Sequence, residues 1–159
     1  MSTEAWTLVA EGEEAAIFGY GVLTAELAGA ERTRALSATD AHRVARDRAR
    51  AALSAQDLNP EVPAAFEVPT LTNATGAMAV AAAIELRLTD LYVALSASTQ
   101  DADRKYASQT AQETTARAVM WGWEPQAFPT ALADQKAPVP ATTTSQGSAS
   151  SPNDGAKIE

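Results

Sequence analysis

The chain contains no cysteine. This absence excludes disulfide frameworks, thiolate zinc sites, iron–sulfur clusters and cysteine nucleophiles, but it leaves the compartment open because secreted proteins can also lack cysteine. Aromatic residues are scarce, at 6% of a chain that is 46% hydrophobic. Alanine, the most frequent residue, favours helices, whereas the β-branched and aromatic residues preferred in sheets are few. We therefore predict an all-α protein.

Long hydrophobic runs and excess positive charge are also missing. The longest apolar run, Ala77 to Ile84, is far shorter than the ~20 residues that a membrane helix needs. The first residues lack a basic segment followed by an apolar one, so a cytoplasmic location is expected. Twelve basic and 20 acidic residues give a net charge of -8, which repels phosphate backbones and acidic lipids. We expect neither nucleic acid nor a membrane as partner.

The length of 159 residues favours one compact domain. Apolar periodicity predicts four helices: 4–28, a second capped near Ser37 and Thr39 and ending about Ala55, then 73–97 and 101–123. Three prolines between residues 56 and 72 predict an extended connector that is long enough to traverse the bundle. One long connection between the second and third helices, with short loops elsewhere, is typical of a ferritin-like four-helix bundle with one crossover.

The end of the chain differs in composition from the rest. Residues 137–159 consist largely of Pro, Thr, Ser, Gly and Ala, which predicts a disordered tail. The bundle domain is accordingly predicted to cover 1–136, with a short apolar patch at 128–132 folding back on its end.

Ferritin-like bundles that hold two metal ions use two Glu-x-x-His pairs in addition to two further Glu residues. The chain has a single histidine, so that ligand set is impossible. Helical rotation nevertheless places Glu85 on the apolar face of the third helix. Glu13 and Glu113 occupy similar positions on the first and fourth helices, which predicts that three carboxylates converge at one level.

The negative charges of the three carboxylates need positive side chains, or a metal ion, at the same level of the bundle. With the second helix starting near Ser37, His42 is predicted to lie in its first turns, away from the three carboxylates. Arg46 and Arg50 are predicted to lie level with Glu13, and Arg117 can pair with Glu113 one helical turn away. We therefore expect a buried carboxylate–arginine network in place of a metal site.

Several short elements resemble an uncharacterised ferritin-like family of high-GC Gram-positive bacteria, known only as a domain of unknown function. They are Glu13-Glu14-Ala-Ala-Ile-Phe-Gly-Tyr-Gly, His42-Arg43 with Arg46-Asp47, Val68-Pro69, Glu85, and Ala116-Arg117-Ala118 with Trp121, within residues 5 to 132. The resemblance implies a ferritin-like fold and no established activity. It marks Glu13, Tyr20, His42, Arg46, Glu85 and Arg117 as the polar positions of the family pattern. The chain departs from the pattern at Glu14, where histidine is expected, and this departure disfavours a metal role.

These observations favour a non-catalytic bundle with a structural or protein-binding role and without a cofactor. We expect it to form a homodimer or to bind another protein. The alternative is a divergent carboxylate-bridged protein that binds iron or manganese through Glu13, Glu85 and Glu113. A third possibility is that the tail, 137–159, docks the bundle to a larger complex.

Overall fold

The structure is a computed structural model, and it describes residues 3–59, 66–67 and 69–125. Four helices account for most of this part of the chain: α1 (Thr3–Glu26), α2 (Gly29–Ser54), α3 (Ala74–Ser98) and α4 (Asp101–Met120). No strand occurs among the described residues. The all-α prediction and the number of helices are confirmed, and three of the four helices begin within one residue of the predicted start.

The second helix was predicted to begin too late. It starts at Gly29, directly after a two-residue link, and the φ of +53° at Gly29 is a left-handed conformation that glycine adopts at little cost. Thr39 does not cap the helix, because its hydroxyl donates to the carbonyl of Ala35 (2.9 Å), a bond that satisfies a hydroxyl inside a helix. About two further turns therefore precede the predicted start.

Side-chain contacts define how the helices pair. Glu13 of α1 meets His42 of α2, while Thr3 near the start of α1 contacts Gln56 just beyond the end of α2, so these two helices are antiparallel. By the same criterion α1 is antiparallel to α3, and α3 is antiparallel to α4.

Small residues allow α1 and α3 to approach closely. A Cβ atom at Gly12 would lie 2.5 Å from Cδ1 of Leu91, and one at Gly19 would lie 2.8 Å from Cδ1 of Ile84. Gly21, two residues after Gly19, has nothing within 4 Å of such an atom. Close helix packing therefore explains Gly12 and Gly19 but not Gly21.

The core consists of two apolar clusters. One surrounds Trp6, Leu53, Leu88 and Leu95, and the other contains Leu23, Leu27, Ala35 and Ala81. Along α2 and α3, His42 and Glu85 lie between residues of the first cluster and residues of the second. On α1, the fully buried Glu13 lies among residues of the first cluster, and the second cluster begins one to two turns further along. The polar side chains described below are thus enclosed by apolar packing on both sides.

Within the described residues, no helix combines the length and hydropathy that crossing a lipid bilayer requires. The predicted apolar patch at 128–132 and the predicted tail at 137–159 lie outside the described residues.

Candidate functional site

A buried histidine joins the two inward carboxylates at the centre of the bundle. Nδ1 of His42 lies 2.8 Å from Oε2 of Glu13, and Nε2 lies 3.1 Å from Oε1 of Glu85. All three side chains are fully buried, and they come from α2, α1 and α3 respectively. Since the two ring nitrogens both face carboxylate oxygens, the geometry favours a doubly protonated imidazolium that donates both hydrogen bonds.

Two tyrosines, an arginine and a tryptophan complete the hydrogen bonding. Tyr92 donates to Oε1 of Glu13 (2.6 Å), and Tyr20 donates to Oε1 of Glu85 (2.7 Å). Nε of Arg117, on α4, donates to both oxygens of Glu85 (3.1 and 3.0 Å). The indole N–H of Trp121 donates to the hydroxyl of Tyr20 (2.7 Å). We refer to Glu13, Tyr20, His42, Glu85, Tyr92, Arg117 and Trp121 as the His42 network.

The charges of the His42 network cancel when the imidazolium is present, with two carboxylates facing His42 and Arg117. Burial lowers the pKa of His42, but hydrogen bonds from the ring to Glu13 and Glu85, together with their charges, outweigh burial and raise the pKa above its usual value. For Glu85, burial acts to raise the pKa, and the hydrogen bond and charge of His42, aided by Arg117, outweigh it and lower the pKa. The surroundings of the network therefore favour the charged forms of both His42 and Glu85.

The tyrosines remain protonated donors. Burial, and next the charge of Glu85, raises the pKa of Tyr20. Burial, and next the charge of Glu13, raises the pKa of Tyr92. Each phenol thus supplies a hydrogen bond without adding a third negative charge to the network.

The predicted position of His42 was wrong. Because α2 begins at Gly29, His42 lies 14 residues after Ala28, and Glu13 lies 14 residues before Leu27. The two residues are therefore level in the antiparallel pair. His42, which was predicted to lie away from the carboxylates, is the residue that links Glu13 and Glu85.

Glu113 was also misplaced. It is exposed on α4, and Thr114 is the fully buried residue of that turn. The helical rotation of α4 differs from the predicted one by about one residue, which turns Glu113 outward. Arg117 consequently pairs with Glu85 across the bundle, and not with Glu113 on its own helix.

A second charged cluster lies one residue further along α1. Oε1 of Glu14 is 2.5 Å from Nη2 of Arg50 and 3.6 Å from Nε of Arg46. That oxygen is buried yet accepts no well-aligned hydrogen bond from the described residues, so the contact with Arg50 is an ion pair of poor geometry. Arg46 makes its hydrogen bond to Asp47 (2.9 Å). Arg46 therefore belongs to this Glu14 cluster and not to the His42 network.

Tyr92 and Trp121 were not predicted as members of the polar network. Tyr92 lies seven residues after Glu85 on the same face of α3. This shared face is the one feature of the sequence that could have predicted its contact with the network. That signal is weak, because aromatic residues at helical spacing usually belong to the apolar core. Trp121 follows the last residue of α4, and its hydrogen bond to Tyr20 depends on packing that periodicity does not predict.

No group of three or more His, Cys, Asp or Glu residues in the described ranges is arranged to hold a metal ion. The donor set agrees with this finding, because the His42 ring bridges Glu13 and Glu85, and Arg117 occupies both oxygens of Glu85. A cation would have to displace an imidazolium proton and compete with a guanidinium charge.

Comparison with known proteins identifies a family and a similar solved structure. The model of the family described as "Domain of unknown function (DUF4439)" matches residues 5–132. The chain is similar to the crystal structure of a conserved hypothetical protein, Rv2844, from Mycobacterium tuberculosis, with 26% identity and a TM-score of 0.72. The match covers 76% of this chain and 93% of that one. No curated protein matches the sequence.

Proposed function

Because the chain belongs to the DUF4439 family, for which no activity is stated, we propose its role from the site itself: a non-catalytic, ferritin-like helical bundle, structural or protein-binding. In this proposal the His42 network holds the four helices in register at the level where a metal-binding bundle carries its ions. The observation that supports it most is the bridging of Glu13 and Glu85 by His42.

The helix directions support the ferritin-like arrangement. Both α2 and α3 are antiparallel to α1, so they run parallel to each other. The connection between them must then return along the length of the bundle. Residues 55–73 can span about 60 Å when extended, and α2 is about 39 Å long. A single crossover between α2 and α3 is the proposed topology.

The hydrogen bonding of the network supports a structural role. Each oxygen of Glu13 accepts one hydrogen bond, and Oε1 of Glu85 accepts three. Each of the four helices, or the residue just beyond it, contributes at least one member. A fully satisfied buried network specifies one arrangement of its helices, although it does not by itself make the fold more stable than apolar packing would.

The alternative is an iron- or manganese-binding site built on the inward carboxylates. Glu113 is exposed and can contribute nothing to such a site, which leaves Glu13, His42 and Glu85 as its donors. Their convergence from three helices is the observation in its favour. The positive charge of Arg117 on both oxygens of Glu85 is the observation against it.

Metal content separates the two proposals. Protein produced with added iron and manganese and purified without chelators should contain far less than one metal ion per chain by elemental analysis. The variant Glu85→Gln should contain no less than the wild type, and Glu14→Gln serves as its control. Stoichiometric metal in the wild type that Glu85→Gln loses would instead establish the alternative.

The protein-binding part of the proposal concerns the outer face of α1. Residues 15–25 contain no charged side chain, and Phe18 and Val22 in this stretch are each more than a third exposed. Exposed apolar side chains of one helix face are typical of protein-binding surfaces. A second copy of the chain is the first partner to test.

Light scattering coupled to size exclusion measures this assembly directly. We expect the wild type to be dimeric and Phe18→Glu to be monomeric, since a buried charge at an apolar interface is costly. Val44→Glu is the matched control, because Val44 is an exposed apolar residue among the charges of α2. A wild type that stays monomeric at high concentration would refute the homodimer. Docking through 137–159 concerns residues outside the described part and stays a prediction.

A further inference from the structure

A cleft between α2 and α4 lies directly behind the His42 network. Its volume is about 450 Å³, and its lining includes Arg34 and Ser37 of α2, Arg117 and Met120 of α4, and Trp121. Arg117 contributes to both places, since its Nε binds Glu85 and the side chain is still 21% exposed. Clefts of this size between the helices of a bundle are common sites for small ligands.

The charge of the cleft is one-sided. Two arginines line it and, among the described residues, no carboxylate does. The hydrogen bonds that Arg117 makes to described residues all run through Nε, which leaves both Nη groups as donors. Arg34 lies with its guanidinium carbon 5.3 Å from the centroid of the Trp121 ring, and it forms no ion pair with a described residue.

The arginines in the second half of α2 are paired with carboxylates, whereas Arg34, like the exposed Arg32, forms no ion pair with a described residue. Each of the four between residues 43 and 50 has a carboxylate within ion-pair distance, as shown by Arg43 with Asp40 and Arg48 with Asp103. In a chain with 20 acidic and 12 basic residues, carboxylates are plentiful. Arg117 already pairs with Glu85, so the guanidinium of Arg34 is the charge of the cleft that has no carboxylate beside it. An anion bound in the cleft would neutralise that charge and could accept hydrogen bonds from the Nη groups of both arginines.

We propose that this cleft binds a small organic oxyanion, a carboxylate or phosphate group attached to an apolar body. Nη groups of Arg34 and Arg117 hold the oxyanion by charge-assisted hydrogen bonds, and the hydroxyl of Ser37 adds a neutral donor. The apolar body packs against Met120 and Trp121. This inference goes beyond the proposed structural role, because it gives the bundle a ligand.

The test uses the full-length protein and two anionic probes, benzoate and phenyl phosphate, with benzyl alcohol as the neutral analogue. The indole N–H resonance of Trp121, identified with the Trp121→Phe variant, reports binding at constant ionic strength. We expect a saturable shift with at least one anion and binding of benzyl alcohol that is at least tenfold weaker. Arg34→Gln should weaken anion binding about tenfold, as expected for loss of one charge-assisted contact.

Arg32→Gln is the matched control, because Arg32 is exposed on the same helix and does not line the cleft. It should bind the anions as the wild type does. The proposal is overturned if neither anion gives a saturable shift, if benzyl alcohol binds equally well, or if the Arg32 and Arg34 variants lose affinity equally. Each outcome is independent of the metal content and the oligomeric state that test the proposed function.

Discussion

Glu13 and Glu14 are consecutive residues of α1, and their surroundings differ in every respect that matters for a carboxylate. Glu13 is fully buried and accepts hydrogen bonds from His42 and Tyr92. Glu14 is 14% exposed and faces two arginines without a well-aligned hydrogen bond. One step of about 100° around the helix separates the His42 network from the Glu14 cluster.

The difference shows what burial requires of a charged group. The His42 network balances its charges internally and satisfies its acceptors with donors from other helices, because no water is available to do so. The Glu14 cluster is partly exposed, chiefly through its two arginines, so solvent screens its charges more than those of the network and an imperfect contact costs less. The His42 network therefore connects all four helices, whereas the Glu14 cluster connects only α1 and α2.

The largest effect is expected from Glu85→Ala. This change leaves His42 and Arg117 buried or half-buried with too few acceptors and removes the partner of Tyr20. Removal of one partner of a buried ion pair typically costs about 3–5 kcal/mol. Urea denaturation followed by circular dichroism should show this loss, whereas Glu14→Ala should cost about 1 kcal/mol or less.

Glu85→Gln keeps the shape and one acceptor oxygen, so it covers the case in which Glu85→Ala does not fold. Its cost should lie between those of Glu85→Ala and Glu14→Ala. Equal costs for Glu85→Gln and Glu14→Ala would mean that the His42 network and the Glu14 cluster do not differ in energy.

A smaller loss is expected from Tyr92→Phe, which removes one donor from Glu13 and keeps the ring. A buried acceptor that loses its partner costs about 1–3 kcal/mol. The ring still packs edge-on against Tyr106 (6.0 Å between centroids), so the near-ultraviolet spectrum should change little. A change in unfolding free energy within experimental error would show that Tyr92 serves packing alone.

The ionisation of His42 makes the stability contributed by the His42 network depend on pH. Since folding raises the pKa of His42 above 6.5, its contribution to stability is complete below that value and is lost as pH rises through the folded-state pKa. Folding lowers the pKa of Glu85 below 4.5, so its contribution is complete above that value and is lost as pH falls through the folded-state pKa. The network is therefore expected to contribute most between pH 4.5 and 6.5.

The single histidine makes this measurable by a nuclear magnetic resonance titration of one imidazole ring. The midpoint should lie above 6.5, with both ring nitrogens protonated below it, and Glu14→Gln should leave the titration unchanged. Glu13→Gln should lower the midpoint because one of the two facing charges is gone. A midpoint at or below 6.5 in the wild type would contradict the imidazolium assignment.

The sequence predicted the helices well and the level of their contacts poorly. Periodicity was sufficient for the inward direction of Glu13 and Glu85, because a helix repeats the same angle at every residue. The start of α2 depended on Thr39, whose hydroxyl satisfies a cap or an internal carbonyl equally well. An error of about two turns there moved His42 away from the carboxylates, and no local signal could correct it. The inward position predicted for Glu113 was wrong for a related reason, since a rotation of the helix by one residue places Thr114 inside and Glu113 outside.

The smallest effect is expected from the ion pair between Glu14 and Arg50. In a double-mutant cycle with Glu14→Gln and Arg50→Gln, the coupling energy should be about 0.2–1 kcal/mol. It should decrease further in 1 M NaCl, because the Debye length falls to about 3 Å. The same salt should leave the coupling between Glu85 and His42, measured with Glu85→Gln and His42→Gln, largely unchanged, since buried pairs are screened far less. A salt-insensitive Glu14 pair would mean that the poorly aligned oxygen is as well shielded as Glu13, and the contrast between the two adjacent residues would then rest on hydrogen-bond geometry alone.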